Sequence, residues 1–139
     1  MANYTSPNPL YNKKSAYSDF DTDFNVHPVT GKLSVKKNIE AVKQAVKNLI
    51  LTDKLERPYE PFFGCDVNGA LFEQLDNLTA ASMEKHIQYA IRNFEPRANL
   101  LRVFVQPNDE KNSITVTVVF AVVNVKEPQT LQINLERIR

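Results

Sequence analysis

The sequence predicts an α+β fold: a small, mostly antiparallel or mixed β-sheet packed against two main helices, with an extended N-terminal arm. Three observations carry this reading. Segments 34–51 and 79–94 repeat their apolar residues at helical spacing. From residue 100 onward the apolar period falls to two, the signature of strands. The helical segments come first and the strands last, which is the order of a sheet with its helices gathered on one face.

Residues 1–33 form the predicted arm, and 34–139 a single α+β domain. The arm carries Pro7, Pro9 and Pro28 and scattered aromatics (Tyr4, Tyr11, Tyr17, Phe20, Phe24), with no sustained period. Disordered tails are poorer in aromatic residues, so this composition predicts a strap that docks on a surface, its own or a partner's. In SVKKNIEAVKQAVKNLIL, Val35, Ile39, Val42, Val46 and Leu49 or Ile50 form one helical stripe. Ser34 is the expected N-cap. Lys36, Lys37, Lys43 and Lys47 lie on the opposite face, which reads as a solvated face or as a basic stripe for an acidic partner.

Residues 55–67, LERPYEPFFGCDV, read as an irregular aromatic loop. Pro58 and Pro61 push Arg57 and Glu60 toward extended geometry, and Gly64 supplies a permissive backbone for a turn. A short helical piece, NGALFEQL, is expected next. The second main helix follows with Thr79 as N-cap and Met83, Ile87, Ile91 and Phe94 on one side. LLRVFV then reads as a strand, PNDEKNS as its turn, and ITVTVVFAVVN as a long strand buried on both faces after Val118. TLQINLERIR alternates again, with Leu131, Ile133 and Leu135 against Gln132, Asn134 and Glu136.

The bulk composition narrows the function. The chain has 139 residues, 42% hydrophobic and 24% charged, with a net charge of +1. Near-neutrality removes a global electrostatic case for nucleic acid. No apolar run approaches the roughly 18 residues of a membrane span, and the opening residues lack the apolar core of a secretory signal. One cysteine excludes an internal disulfide and fits a reducing compartment. With two histidines beside it, a Cys/His zinc site is not expected. The glycine-rich phosphate loops and the Gly-Xaa-Ser-Xaa-Gly elbow are missing, so no cofactor is predicted.

Candidate chemistry is thin. Asp19, Asp21 and Asp23 imitate the start of a calcium loop, but Phe24 and Thr30 stand where Gly and Glu are required. Glycoside hydrolysis needs two carboxyls across a cleft, one of them able to donate a proton. Glu60, Asp66 and Glu95 are nominal candidates. Arg97 beside Glu95 would favour the charged carboxylate, the wrong direction for a proton donor. Cys65 with His86 or His27 would be a thiol nucleophile; following Phe62–Phe63–Gly64, it reads better as small core filler.

Glu95–Pro96–Arg97 remains. Pro96 explains the end of the helix, since its ring disfavours helical geometry at Glu95. The flanking charges need another reason. Arg97 can answer the carbonyls at the helix end, or it can fork a partner's carboxylate while Glu95 holds it in position.

The stretch RPYEPFFGCDVNGALFEQLDNLTAASMEKHIQYAIRNFEPR, residues 57–97, closely resembles the lysozyme-like baseplate family of T-even-like contractile-tailed phages, which has relatives in type VI secretion systems. Arg57–Pro58, Phe63–Gly64–Cys65–Asp66, Leu71–Phe72, the 79–94 pattern and Glu95–Pro96–Arg97 carry the match. It continues more loosely from about residue 17 to the end, leaving the first 16 residues as a virus-specific arm.

The resemblance implies a structural protein of the virion tail baseplate, assembled in the host cytoplasm, with six copies per ring. It implies docking on the wedge core-bundle proteins through Glu95, Pro96, Arg97 and Arg57. It also implies that the tail sheath starts by strand exchange at Leu131, Gln132, Ile133, Asn134 and Leu135, with tail tube or hub proteins as further partners. On this reading Arg97→Ala weakens docking and leaves the isolated fold largely intact. A type VI baseplate subunit is the nearer alternative. A muramidase using Glu60 or Glu95 with Asp66 is the more distant one.

Overall fold

The computed structural model describes residues 17–73, 76–108, 112–123, 125 and 127–136, and the chain divides into two compact units, residues 1–41 and 42–139. In the first unit β1 (Ser18–Phe20) pairs antiparallel with β2 (Val35–Lys37). Lys36 Nζ lies 3.0 Å from Asp21 Oδ1, and this bond is the main reason the Asp21 carboxyl sits below its ordinary value of 3.8. Asp21 is therefore engaged by a lysine rather than by a calcium-type loop.

β2 corrects the expected start of the first helix. Ser34 caps no helix, and Val35 lies in a strand, 41% exposed, rather than in an apolar helical stripe. Asn38 takes a left-handed φ of 50° and donates its N–H to the Tyr17 carbonyl at 2.9 Å. Helix α1 begins only after it and spans Ile39–Leu51. The spacing of four between Val35 and Ile39 is shared by a helix and by a strand that ends at a turn. Pairing with residues 18–20 decides between them, and a local period cannot report it. Lys36 and Lys37 thus leave the helix face, which keeps Lys43 and Lys47.

In the second unit Val42, Val46, Leu49 and Ile50 of α1 are fully buried, as their spacing predicts. Helix α2 is shorter than the expected helical piece over 68–75: it covers Val67–Ala70 and runs on into turns through Glu73, and residues 74–75 lie outside the described residues. Helix α3 spans Asn77–Phe94. Its cap is Asp76, not Thr79: the Asp76 carboxylate accepts the Thr79 N–H at 2.7 Å. A capping side chain satisfies the N–H three residues further on, so the helix starts earlier than its apolar stripe. Ala80, Met83, Ile87, Ala90 and Ile91 form the buried stripe, and α3 packs on the sheet through β3.

The sheet is an antiparallel meander of β3 (Ala98–Asn108), β4 (Ser113–Val122) and β5 (Pro128–Glu136), in that order. Its core face is built from cross-strand rows such as Val105–Val116–Ile133 and Val103–Val118–Leu131. Burying each such branched side chain contributes about 1.5–3 kcal/mol. A bulge between Leu100 and Arg102 adds one residue to β3. It switches the alternation, so Ala98 and Leu100 before it and Val103 and Val105 after it all face the core. On β4 the odd-numbered residues from Thr115 to Ala121 are half-buried, whereas the even-numbered set is fully buried. The expectation of two buried faces is met in part.

Candidate functional site

At the end of α3 the backbone and side chains form one locked joint. The Glu95 N–H still bonds Ile91 O at 3.0 Å, which completes the last helical turn, and Pro96 supplies no N–H to continue it. Ala98 N–H then returns to Glu95 O at 3.1 Å, and Arg97 O accepts Val123 N–H at 3.0 Å. The chain passes from helix to sheet within three residues.

Across this corner Arg97 forks Glu95: Nε lies 2.7 Å from Oε1 and Nη2 lies 2.8 Å from Oε2. Both carboxylate oxygens are engaged. Glu95 is only 6% exposed, so the fork supplies the charge and hydrogen bonds that a buried carboxylate requires.

Arg57 reaches the last residue of α3 through two rings. Its guanidinium carbon sits 3.8 Å above the centroid of the Phe63 ring. Phe63 meets Phe94 with centroids 5.2 Å apart and ring planes at 58°, a tilted geometry favoured by the aromatic quadrupoles. Phe94 immediately precedes Glu95. The sequence groups Arg57 with Glu95, Pro96 and Arg97 by resemblance alone; the Phe63–Phe94 pair that links Arg57 to the end of α3 is not foreseen there. The available signal was the placement of one phenylalanine inside each matching motif.

The loop carrying Arg57 is closed at its base. Cys65 N–H bonds Thr52 O at 3.0 Å, and Leu55 N–H bonds Pro61 O at 2.8 Å. Gly64 sits between these ties at φ +113°, where an added Cβ would run into the Thr52 carbonyl. Loop residues 52–65 therefore form a compact Ω-type loop.

The nominal catalytic groups are not assembled into one site. Cys65 is buried and desolvation pushes its thiol up to about 12, so it stays protonated near neutral pH and is no nucleophile. His86 is exposed, on the outer side of α3. Asp66 lines a cavity of about 230 Å³ with Glu73 and His86, and neither Glu60 nor Glu95 borders it. Glu60 instead lies 3.7 Å from Arg57. Among the described residues no group of three His, Cys, Asp or Glu side chains could hold a metal ion.

The second candidate region is the sheet edge. Three bonds set the hydrogen-bonding phase of the whole meander. Val123 N–H reaches Arg97 O, whereas Ala98 N–H turns away to Glu95 O and Val105 N–H turns away to Glu84 Oε1 at 3.0 Å. In an antiparallel pair, N–H and C=O of one residue point to the same side and alternate along the strand. Val116, opposite Val105, therefore bonds toward β5 and to Ile133. It follows that Ile133, Leu131 and Leu135 bond inward to β4. The backbone groups of Thr130, Gln132, Asn134 and Glu136 point outward, and among the described residues none of these outward groups has a partner. Of the five predicted exchange residues, Ile133 and Leu135 are buried and Leu131 half-buried, while Gln132 and Asn134 have exposed side chains.

This architecture, a helix end pinned to a small antiparallel meander, is a fold shared with chains of known structure. In fold the chain is similar to one from the baseplate of the anti-feeding prophage, with a TM-score of 0.61 and 22% identity over 86% of this chain and 85% of that one. It is equally similar to a Geobacter sulfurreducens chain provisionally named a tail lysozyme, with a TM-score of 0.62 and 20% identity over 70% and 89% of the two chains. Sequence is more specific. The family model for baseplate wedge protein gp25 matches residues 36–134. Baseplate wedge protein gp25 of Enterobacteria phage T4 is 34% identical over 115 residues, 83% of this chain and 86% of that protein. The chain belongs to the gp25 baseplate wedge protein family.

Proposed function

We propose that this chain is a non-enzymatic structural subunit of a contractile phage tail, docking on the wedge core bundle and starting the sheath. Residues 1–33 act as its arm and 34–139 as the baseplate domain, with six copies per ring. The Glu95–Arg97 fork and the Arg57 stack form the wedge-facing surface: two guanidinium groups held by one joint suit recognition of carboxylates on a helical bundle. β5 is the sheath-facing edge. Tail tube and hub proteins are its neighbours in the assembled particle.

The observation that carries the sheath role is the unpartnered outer edge of β5, with outward backbone groups at every second residue from Thr130 to Glu136. A strand of the sheath protein laid beside it would satisfy those groups by β-augmentation. Gln132→Pro is the cleanest test, because its N–H points outward and proline there leaves the ladder to β4 intact. Wedges carrying this variant should form normally and fail to start a sheath. Ile133→Pro, which breaks an inner bond, serves as the folding control. Sheaths of normal number on Gln132→Pro particles would overturn the role. Removing residues 129–139 is a poorer test, since it strips Ile133 and Leu135 from the core.

A further inference from the structure

The two edges of the sheet are not equivalent, and the difference has a physical cause. Along β3 the same phase makes Ala98, Leu100, Val103, Val105 and Pro107 the outward-pointing residues. Ala98 N–H is taken by Glu95 O at 3.1 Å, and Val105 N–H is taken by the Glu84 carboxylate at 3.0 Å. Pro107 has no N–H to offer. The bulge at Leu101 separates the remaining pair, Leu100 and Val103, and bends the strand between them. An incoming strand needs outward groups at every second residue, and β3 does not present them. On β5 only Pro128, at the first position, lacks its donor.

Most of the β3 blocks are built into the backbone. Glu84 is different: among the described residues it is the side chain from another element that reaches across to occupy an edge donor. It stands one position after Met83 on α3, at the margin of the stripe that packs on β3, and it is half-buried. A carboxylate accepting a backbone N–H makes a charge-assisted bond, and a partner strand could compete for Val105 only by displacing it and leaving the charge beside its own carbonyls.

We infer that Glu84 is a latch that closes the β3 edge at Val105, completing the backbone blocks on either side of it, so that the sheet accepts a partner strand on β5 alone. The latch makes strand addition directional: a subunit open at both edges would pair with sheath strands, or with other copies of itself, on either side. This rests on the strand-addition reading of β5, and it assigns to one side chain the closing of Val105, the position on β3 that the backbone leaves open.

The test uses the full chain, isotope-labelled, as wild type, Glu84→Gln and Glu84→Ala. Gln keeps an acceptor oxygen and Ala removes it. Amide exchange at Val105 should quicken by roughly tenfold or more in Glu84→Ala and stay near wild type in Glu84→Gln. A synthetic peptide copying residues 130–136 is then added as the strand probe. It should shift the Val103 and Val105 amide signals in Glu84→Ala and leave them unmoved in wild type and Glu84→Gln. Unchanged Val105 exchange in Glu84→Ala overturns the latch, and so does a probe that shifts these β3 signals equally in all three chains or in none. Failure of the strand-addition reading shows separately, as normal sheaths with Gln132→Pro.

Discussion

Arg97 holds Glu95 by two bonds of 2.7 and 2.8 Å across the proline that ends α3, with the carboxylate almost wholly buried. The fork is therefore part of the fold as well as of the proposed docking surface. Punctuation and recognition, which the sequence presents as rival readings, are compatible: the pair that closes the helix end is also the one proposed to dock.

Arg97→Ala should accordingly cost stability, because it strands a buried carboxylate. Discounting for the partial exposure of Arg97, the loss in urea unfolding should be about 1–3 kcal/mol. Arg97→Lys keeps the charge but not the fork and should fall between. An isolated domain that is equally stable in all three forms would show that the fork contributes only to docking, as the sequence reading expected. Docking assays should be corrected for whatever loss is found.

Gly64→Ala should destabilise by about 2–3 kcal/mol, since the new Cβ meets a backbone carbonyl at a left-handed φ. Gly31→Ala is the matched comparison. Its φ of +64° is also left-handed, but nothing lies within 4 Å of the added Cβ, and its cost should be limited to about 1 kcal/mol. Thermal melts of the two variants give the contrast directly; equal losses would remove the steric argument.

Cys65 should resist alkylation in the native protein and react freely once unfolded. Its thiol is raised from 9.0 to about 12 by burial. A raised value means that the unfolded chain loses this proton first. The contribution is complete below pH 9 and is lost as pH climbs from 9 toward 12. Cys65→Ala should flatten that part of the stability profile. Rapid labelling of native protein at pH 8 would contradict the burial.

Asp76→Ala should lower the melting temperature by removing the cap of α3, and Asp76→Asn should retain most of it. The bond from the Thr79 N–H is the main reason this carboxyl is held below 3.8. The sign is opposite to that of Cys65: the stabilisation is present above pH 3.8 and fades as pH falls below it. Thr79→Ala should have a smaller effect, because it keeps the backbone N–H of the cap and removes only the weaker bond from the Thr79 side chain to the carboxylate.

Much of this was legible in the chain. Val42, Val46, Leu49 and Ile50 announced α1, and Met83, Ile87 and Ile91 announced α3. The alternation of Leu131, Ile133 and Leu135 gave β5 its buried face. Pro96 marked the helix end, and the motifs around Arg57 and Glu95 marked the family. Each of these is a local property, set by side-chain period or by a backbone restriction that acts within a few residues.

What the sequence by itself determined is thus the two main helices, the three C-terminal strands, their order, and the charged pair at the end of α3. Tertiary structure alone decided that residues 35–37 form a strand, that Phe63 and Phe94 link Arg57 to the last residue of α3, and that β3 is a closed edge while β5 is open. The physical reason is the range of the interactions. Side-chain periodicity is written into neighbouring residues, but which N–H groups already have partners depends on register and on contacts between distant segments, such as Glu84 with Val105.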